Sequence, residues 1–395
     1  MSRSWKKWLA AAAVAGTAPA ALGATLVEPR LRLSFEERYD DDFRLNPVVN
    51  ADGPVGGALG STPTGQLMSK ITPRLGLDVK DRTLKLESFY ATDLLLRHGS
   101  GQVTLDHRAG LNVRKMLSRR LKVEVSGSVF RVTDPRSLPR ESVARTNQPV
   151  LYGTSKLALT QRLSRRVDMS AGYAFEGVRV LTAGGVPGFV HTPYLEAWFR
   201  TAPRLWLGTE YRYQAFLFGD SMDQAHGVFG ALRYRLSRHT TATARGGPVA
   251  FLAQDGRRGV LPRVKLEFLH ERGTFDMGLS LGHDLVGASG FANTLWADYA
   301  GLTFNKHFSQ RLRMFGAASF FRNGRAPGED AFRLDVGTNV SQGYALSAGL
   351  EFEVNRYLSM QAAVDRIAQV GMGEAAADVN LSRNVAALRL HMTAW

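Results

Sequence analysis

The chain has 395 residues, no cysteine, 44% hydrophobic residues and a formal net charge of +15. Without cysteine there is no lipoprotein anchor, no disulfide framework and no thiolate metal site. The basic excess fits a membrane surface or a nucleic acid, and the N-terminus argues against nucleic acid.

Arg3, Lys6 and Lys7 precede a short apolar run, Leu9 to Ala15, and then small residues up to Ala20 and Gly23. The run is too short to span a bilayer, so residues 1–23 read as a cleaved export signal. Residues 24–395 show no composition shift and read as one domain.

A first alternating strand is expected near Leu31 to Tyr39. Asp40-Asp41-Asp42 follows, with the potential to attract a cation at a membrane rim or to serve as a solvated loop base. Asn46 to Gly65, rich in Gly and Pro, reads as a surface loop or as a segment folded into a lumen. A turn falls at Asp81-Arg82.

Next, Leu-Ser-Arg-Arg occurs twice, at Leu117 to Arg120 and at Leu163 to Arg166. Each copy separates runs in which apolar and polar residues alternate. Leu121, Val123 and Val125, for example, alternate with Lys122, Glu124 and Ser126. Period two means a strand with one apolar and one polar face, and two such strands around a short polar break make a hairpin. Looser breaks are read at Leu236 to His239, Phe308 to Arg311 and Leu358 to Gln361, with further turns at Ala202-Pro203-Arg204 and Arg272-Gly273. Phe332 to Ser341 also alternates and reads as loop or strand extension. A last strand is expected over Asn384 to Trp395.

Short breaks at one end of the strands and mostly longer Gly/Pro/Asp/Asn loops at the other are the pattern of a transmembrane antiparallel β-barrel. The expected fold is all-β, with about 18 strands, or 16 if the edges are misread, short periplasmic turns and longer extracellular loops. Lipid offers no hydrogen bonds, so the sheet must close on itself. Aromatics near strand ends, such as Tyr173, Tyr211, Tyr234 and Phe320, suit an interfacial girdle. A soluble sandwich or propeller is the alternative fold, but it would not explain the two-ended loop asymmetry.

FEERYDDDFRLNP (Phe35 to Pro47), ITPRLGLDV (Ile71 to Val79), the repeated LSRR hairpins and RNVAALRL (Arg383 to Leu390) together resemble β-barrel porins of Gram-negative outer membranes. Some of those are the outer-membrane pores of exopolysaccharide export systems. The resemblance implies an integral outer-membrane location, contact with outer-membrane lipid, insertion by the barrel-assembly machinery and, for an export pore, separate periplasmic polysaccharide-export proteins.

The expected function is a channel without a chemical step, either a general porin or a polysaccharide conduit. An outer-membrane lipid hydrolase or a purely structural barrel is the alternative. No cofactor or metal motif is read. Candidate lumen-lining residues are Arg108, Arg114, Lys122, Glu124, Lys156, Arg162, Glu210, Arg212, Arg233, Arg235, Arg263, Lys265 and Glu351, and their basic excess predicts a mild anion preference. Trp198 and Trp206 are candidate aromatics at the periplasmic mouth, as sugar-stacking rings or as an interface belt. His307 with Ser309, and His283 with Asp284, are the only pairs with a catalytic flavour, and neither has a third partner.

Overall fold

A computed structural model describes residues 25–41, 65–99, 101–133, 149–181, 187–287, 294–325, 339–371 and 381–394. The export signal, most of the Asn46 to Gly65 segment, most of Phe332 to Ser341 and Trp395 lie outside the described residues.

The strands are β1 (Leu26–Asp40), β2 (Gln66–Lys80), β3 (Leu84–Arg97), β4 (Val103–Met116), β5 (Leu121–Val132), β6 (Val150–Arg162), β7 (Val167–Val180), β8 (Gly188–Ala202) and β9 (Leu205–Phe218). They continue with β10 (Ser221–Arg235), β11 (Thr240–Leu252), β12 (Arg258–Glu271), β13 (Phe275–Gly287), β14 (Thr294–His307), β15 (Leu312–Arg325), β16 (Asn339–Asn355), β17 (Leu358–Gly371) and β18 (Leu381–Ala394). They form one 18-stranded sheet in which each strand pairs with its sequence neighbours and β1 also pairs with β18. Every pairing is antiparallel, including the closing one, where Leu31 faces Ala394 and Asp40 faces Val385. The sheet is a closed barrel with no free edge.

Alternation decides which face looks out. On β4, Val103, Leu105 and Leu111 lie on the exposed face, while Asp106, Arg108 and Arg114 lie on the other. Leu75, Val228, Leu388 and Val364 are among the most exposed side chains of their strands. Contacts between strands that are not neighbours occur on the other, concave face. Arg245 on β11 reaches Glu196 on β8 at 3.1 Å, for instance. An apolar outer wall around a polar interior is the inverse of a soluble core and is what a transmembrane barrel requires.

One end of the barrel carries only short turns, at 81–83, 117–120, 163–166, 203–204, 236–239, 272–274, 308–311 and 356–357. The other end carries the connections 41–65, 98–102, 133–149, 181–187, 219–220, 253–257, 288–293, 326–338 and 372–380. Only 219–220 is a minimal turn there, with Gly219 at a φ of 57°, a left-handed conformation that glycine adopts without steric cost.

The repeated Ser is a turn device. In the LSRR turns, Ser118 Oγ accepts hydrogen bonds from the backbone N–H groups of Arg120 and Leu121 at 3.1 and 3.0 Å. Ser164 Oγ accepts from Arg166 N–H at 3.1 Å. Ser237 and Ser309 repeat the arrangement, and Asn355 holds Tyr357 N–H in the same way at 2.8 Å. A short polar side chain closes each turn by satisfying donors that no strand partner reaches. Leu358 to Gln361 resembles this break in its letters only. It opens strand β17, and the turn is formed just before it by Asn355, Arg356 and Tyr357.

The seam between first and last strands is clamped on the inside. Glu36 meets Arg389 Nε at 2.6 Å, Lys70 Nζ at 3.2 Å and Arg38 at 3.9 Å. Asp40, fully buried, takes both Nε and Nη2 of Arg383. Asp41 accepts from Asn384 N–H at 2.5 Å and from its side-chain amide. Burial raises the Asp41 carboxyl, and the Asn384 donors more than offset this, leaving it below its usual value. Asp40 and Asp41 are therefore clamps of the closure, neither a cation trap nor a solvated loop base. Asp42 lies outside the described residues.

Candidate functional site: the barrel lumen

The inner wall is a lattice of charges held by neighbouring strands. Arg114 donates to Glu124 at 2.7 Å, and Lys122 Nζ reaches the same carboxylate at 2.8 Å. Arg108 meets Asp93 at 2.7 Å and Arg162 meets Asp168 at 3.4 Å. Lys265 meets Glu267 at 2.8 Å. Glu210 is buried between Arg212, which bonds it directly, and Arg245 at 3.6 Å. Arg263 bonds Asp284 and stacks 4.8 Å from the Phe229 ring centroid. Glu351 bonds Arg313. Such pairs stiffen a water-filled wall more than they stabilise it.

Some inner-wall cations make no ion pair among the described residues: Arg32 and Arg74 on β1 and β2, Lys156 on β6, and Arg200, Arg233 and Arg235 on β8 and β10. They rest on aromatic faces instead. Arg74 lies 4.1 Å from the Phe89 centroid and Lys156 lies 5.6 Å from that of Tyr194. Near the short-turn end, Arg233 lies 4.1 Å from the Trp198 centroid, and Arg200 and Arg235 flank Trp206 at 5.5 and 5.4 Å. Both tryptophans have inward parity. Trp198 is only 6% exposed, with Arg233 and Arg245 over its ring. Its face is covered by guanidinium and is not free to stack on a sugar.

Towards the long-loop end the lumen turns apolar. Phe216, Phe218, Phe229, Phe251, Leu261 and Leu285 belong to one buried cluster. Val132, Val150, Tyr152, Val178 and Val180 form a second one on β5 to β7. The hairpin of β13 and β14 folds inward over the first cluster. Leu285 follows the outward alternation of β13, yet it packs among inward phenylalanines. A Cβ added at Gly287 would lie 2.6 Å from Val190 on β8, so only glycine permits this close approach. Thr294 Oγ1 donates to Asp223 on β10 at 2.7 Å. These contacts join strands that are far apart around the sheet, so the hairpin tip narrows the lumen. Beside this collar lies a chamber of about 670 Å³, lined in part by Thr154, Lys156, Gln214, Lys265, Glu267 and Tyr299.

The sequence singled out a different segment as the constriction. Residues 42–64 lie outside the described residues, and the narrowing that the structure shows comes from β13 and β14. The two expected catalytic pairs also dissolve. Ser309 Oγ is occupied by its own turn. His283 faces outward, 2.5 Å from Asp298 and stacked on Trp296 at 4.5 Å, while Asp284 faces the lumen and Arg263. Successive residues of a strand point to opposite faces, so adjacent His and Asp cannot form a relay here.

Sequence reasoning missed an outward histidine series. His107 lies 2.8 Å from Tyr90, His191 lies 2.5 Å from Tyr173 and His226 lies 2.9 Å from Tyr211, each a few residues inside the long-loop end. With Trp296 they form the polar edge of the apolar belt, where amphipathic rings suit the headgroup level. The signal was present as histidines on the apolar parity.

No protein-family model matches the chain, and no curated protein matches it. Among solved structures, it is similar to the outer membrane protein opdK from Pseudomonas aeruginosa at 11% identity, over 93% of this chain and 99% of that one, with a TM-score of 0.43. It is similar to Pseudomonas aeruginosa OccK7 (OpdD) at 10% identity, over 94% and 98%, with a TM-score of 0.45. Acinetobacter baumannii OccAB4 matches at 11% identity, over 93% and 98%, with a TM-score of 0.42. Nothing about substrate follows from likenesses of this strength.

Proposed function

We propose that this protein is an outer-membrane channel that conducts small polar solutes, with a preference for anions, and that residues 1–23 export it. The observation that carries this reading is the lumen itself. A closed 18-stranded barrel is wide enough for an aqueous path, and its inner wall holds cations that no carboxylate neutralises. The short-turn end then faces the periplasm and the long-loop end faces outside. Solutes cross the charged wall without a chemical step and pass the apolar collar of Phe216, Phe229 and Leu285, a type of constriction that gates by dewetting. Liposome swelling with neutral sugars and with organic anions of matched size tests this. Faster swelling with the anions is expected, and liposomes that swell with neither contradict the reading.

A second reading, the outer-membrane conduit of an exopolysaccharide export system, draws on the family resemblance and on one feature of the mouth. Arg200, Trp206 and Arg235 form a basic and aromatic step at the short-turn end, suited to an acidic sugar polymer. This reading requires periplasmic partners, and co-purification of the barrel with periplasmic export proteins from its own host separates the two.

A further inference from the structure

The outer wall has one polar intrusion joined to a groove. On the apolar face, Glu37 of β1 and Ser69 of β2 are register partners, and His98 follows β3 at the next outward position. Ser69 Oγ donates to Glu37 Oε1 and lies 2.7 Å from His98 Nε2. Glu37 Oε2 is 3.7 Å from the same nitrogen, and the Glu37 side chain is 57% exposed. No Lys or Arg pairs with Glu37 among the described residues. The carboxylate stands at the Nε2 side of the imidazole, where Ser69 also bonds, rather than at Nδ1, so the group is not arranged as a nucleophile relay.

Below this cluster runs an apolar groove of about 790 Å³ whose rim includes Glu37 and Ser69 and whose walls include Phe35, Leu350, Phe352 and Met360. Its course follows the strand tilt. Glu37 faces Leu388, Leu388 faces Ala362, Ala362 faces Leu350, and Leu350 faces Met314. That row starts near the long-loop end of β1 and ends near the short-turn end of β15. The groove therefore descends through the bilayer's thickness, the course of an acyl chain. A carboxylate on a lipid-facing wall is costly unless a partner neutralises it. Here the cation must come from outside the chain.

We propose that this is a binding site for a phospholipid with a primary-ammonium head group. One acyl chain fills the groove, the ammonium donates to Glu37, and the lipid phosphate lies by Ser69 and His98. The inference rests on the transmembrane fold and not on conduction through the lumen.

Native mass spectrometry of the full-length barrel, released from vesicles holding equal amounts of phosphatidylethanolamine and phosphatidylglycerol, tests it. Retained phosphatidylethanolamine is expected in about tenfold excess, the worth of one charge-assisted hydrogen bond. Glu37→Gln, which is isosteric and keeps the fold, should abolish the preference while leaving lipid bound. Leu388→Trp should block the groove and lower the retention of either lipid. Equal retention of both lipids by the unaltered protein, or a preference that Glu37→Gln leaves unchanged, overturns the proposal. Heat-modified gel migration reports folding of each variant, and the Gln variant alone decides the matter if the Trp variant fails to fold.

Discussion

Arg32 on β1 and Arg74 on β2 are direct register partners, both on the inner face. Neither forms an ion pair among the described residues. Like charges directly opposite one another destabilise a sheet, so this pair costs stability where the lumen gains positive potential. Arg74→Glu should relieve the repulsion, adding about 0.2–1 kcal/mol. It should also weaken the anion preference. Urea unfolding in detergent and reversal potentials in a salt gradient measure the two effects, and the account expects them to move in opposite directions.

The collar at the long-loop end predicts a size effect. Phe216 is fully buried among Phe218, Phe229 and Leu285. Phe216→Ala should widen the narrowing and raise single-channel conductance. It should also cost up to about 3–5 kcal/mol, as phenylalanine truncations in cores do. Thr294→Val, which breaks the hydrogen bond to Asp223, should raise conductance with less loss of stability. A conductance that neither change alters would show that the hairpin tip does not limit flow.

The seam predicts a cost of closure. Removing Arg383 leaves the carboxylate of Asp40 buried without its bidentate partner. Arg383→Ala should destabilise the barrel by about 3–5 kcal/mol. The temperature at which the folded band disappears on gels should fall accordingly. Asp40→Asn, which stays hydrogen-bonded to Arg383 but leaves its charge uncompensated, should also destabilise, by less.

The serine turns predict a smaller, repeated effect. Ser118→Ala, Ser164→Ala, Ser237→Ala and Ser309→Ala should each cost at most about 0.5–1.5 kcal/mol, the net worth of an ordinary hydrogen bond. The turns are far apart, so the costs should add. Denaturant midpoints of single and combined variants check this, and activity should not change.

Strand number, antiparallel order and the asymmetry of the two ends were legible because a two-residue period and polar breaks are local signals. Leu358 to Gln361 misled for the same reason, since its letters copied a break while Asn355 made the turn. The collar was not legible. Leu285 is outward by alternation, and only the inward fold of the β13–β14 tip brings it against Phe216. Trp198 had readable parity, but nothing local showed that Arg233 would cover its face. Glu37, Ser69 and His98 come from three separate strand ends, and their meeting depends on register.

The most direct test of the channel reading is the current through single refolded barrels in a planar bilayer under a salt gradient. The account predicts discrete steps and a reversal potential on the anion-selective side, which falls when Arg74, Arg233 and Arg235 are replaced by glutamine. Barrels that run as folded on gels yet carry no current, with the collar intact or with Phe216→Ala, would contradict it.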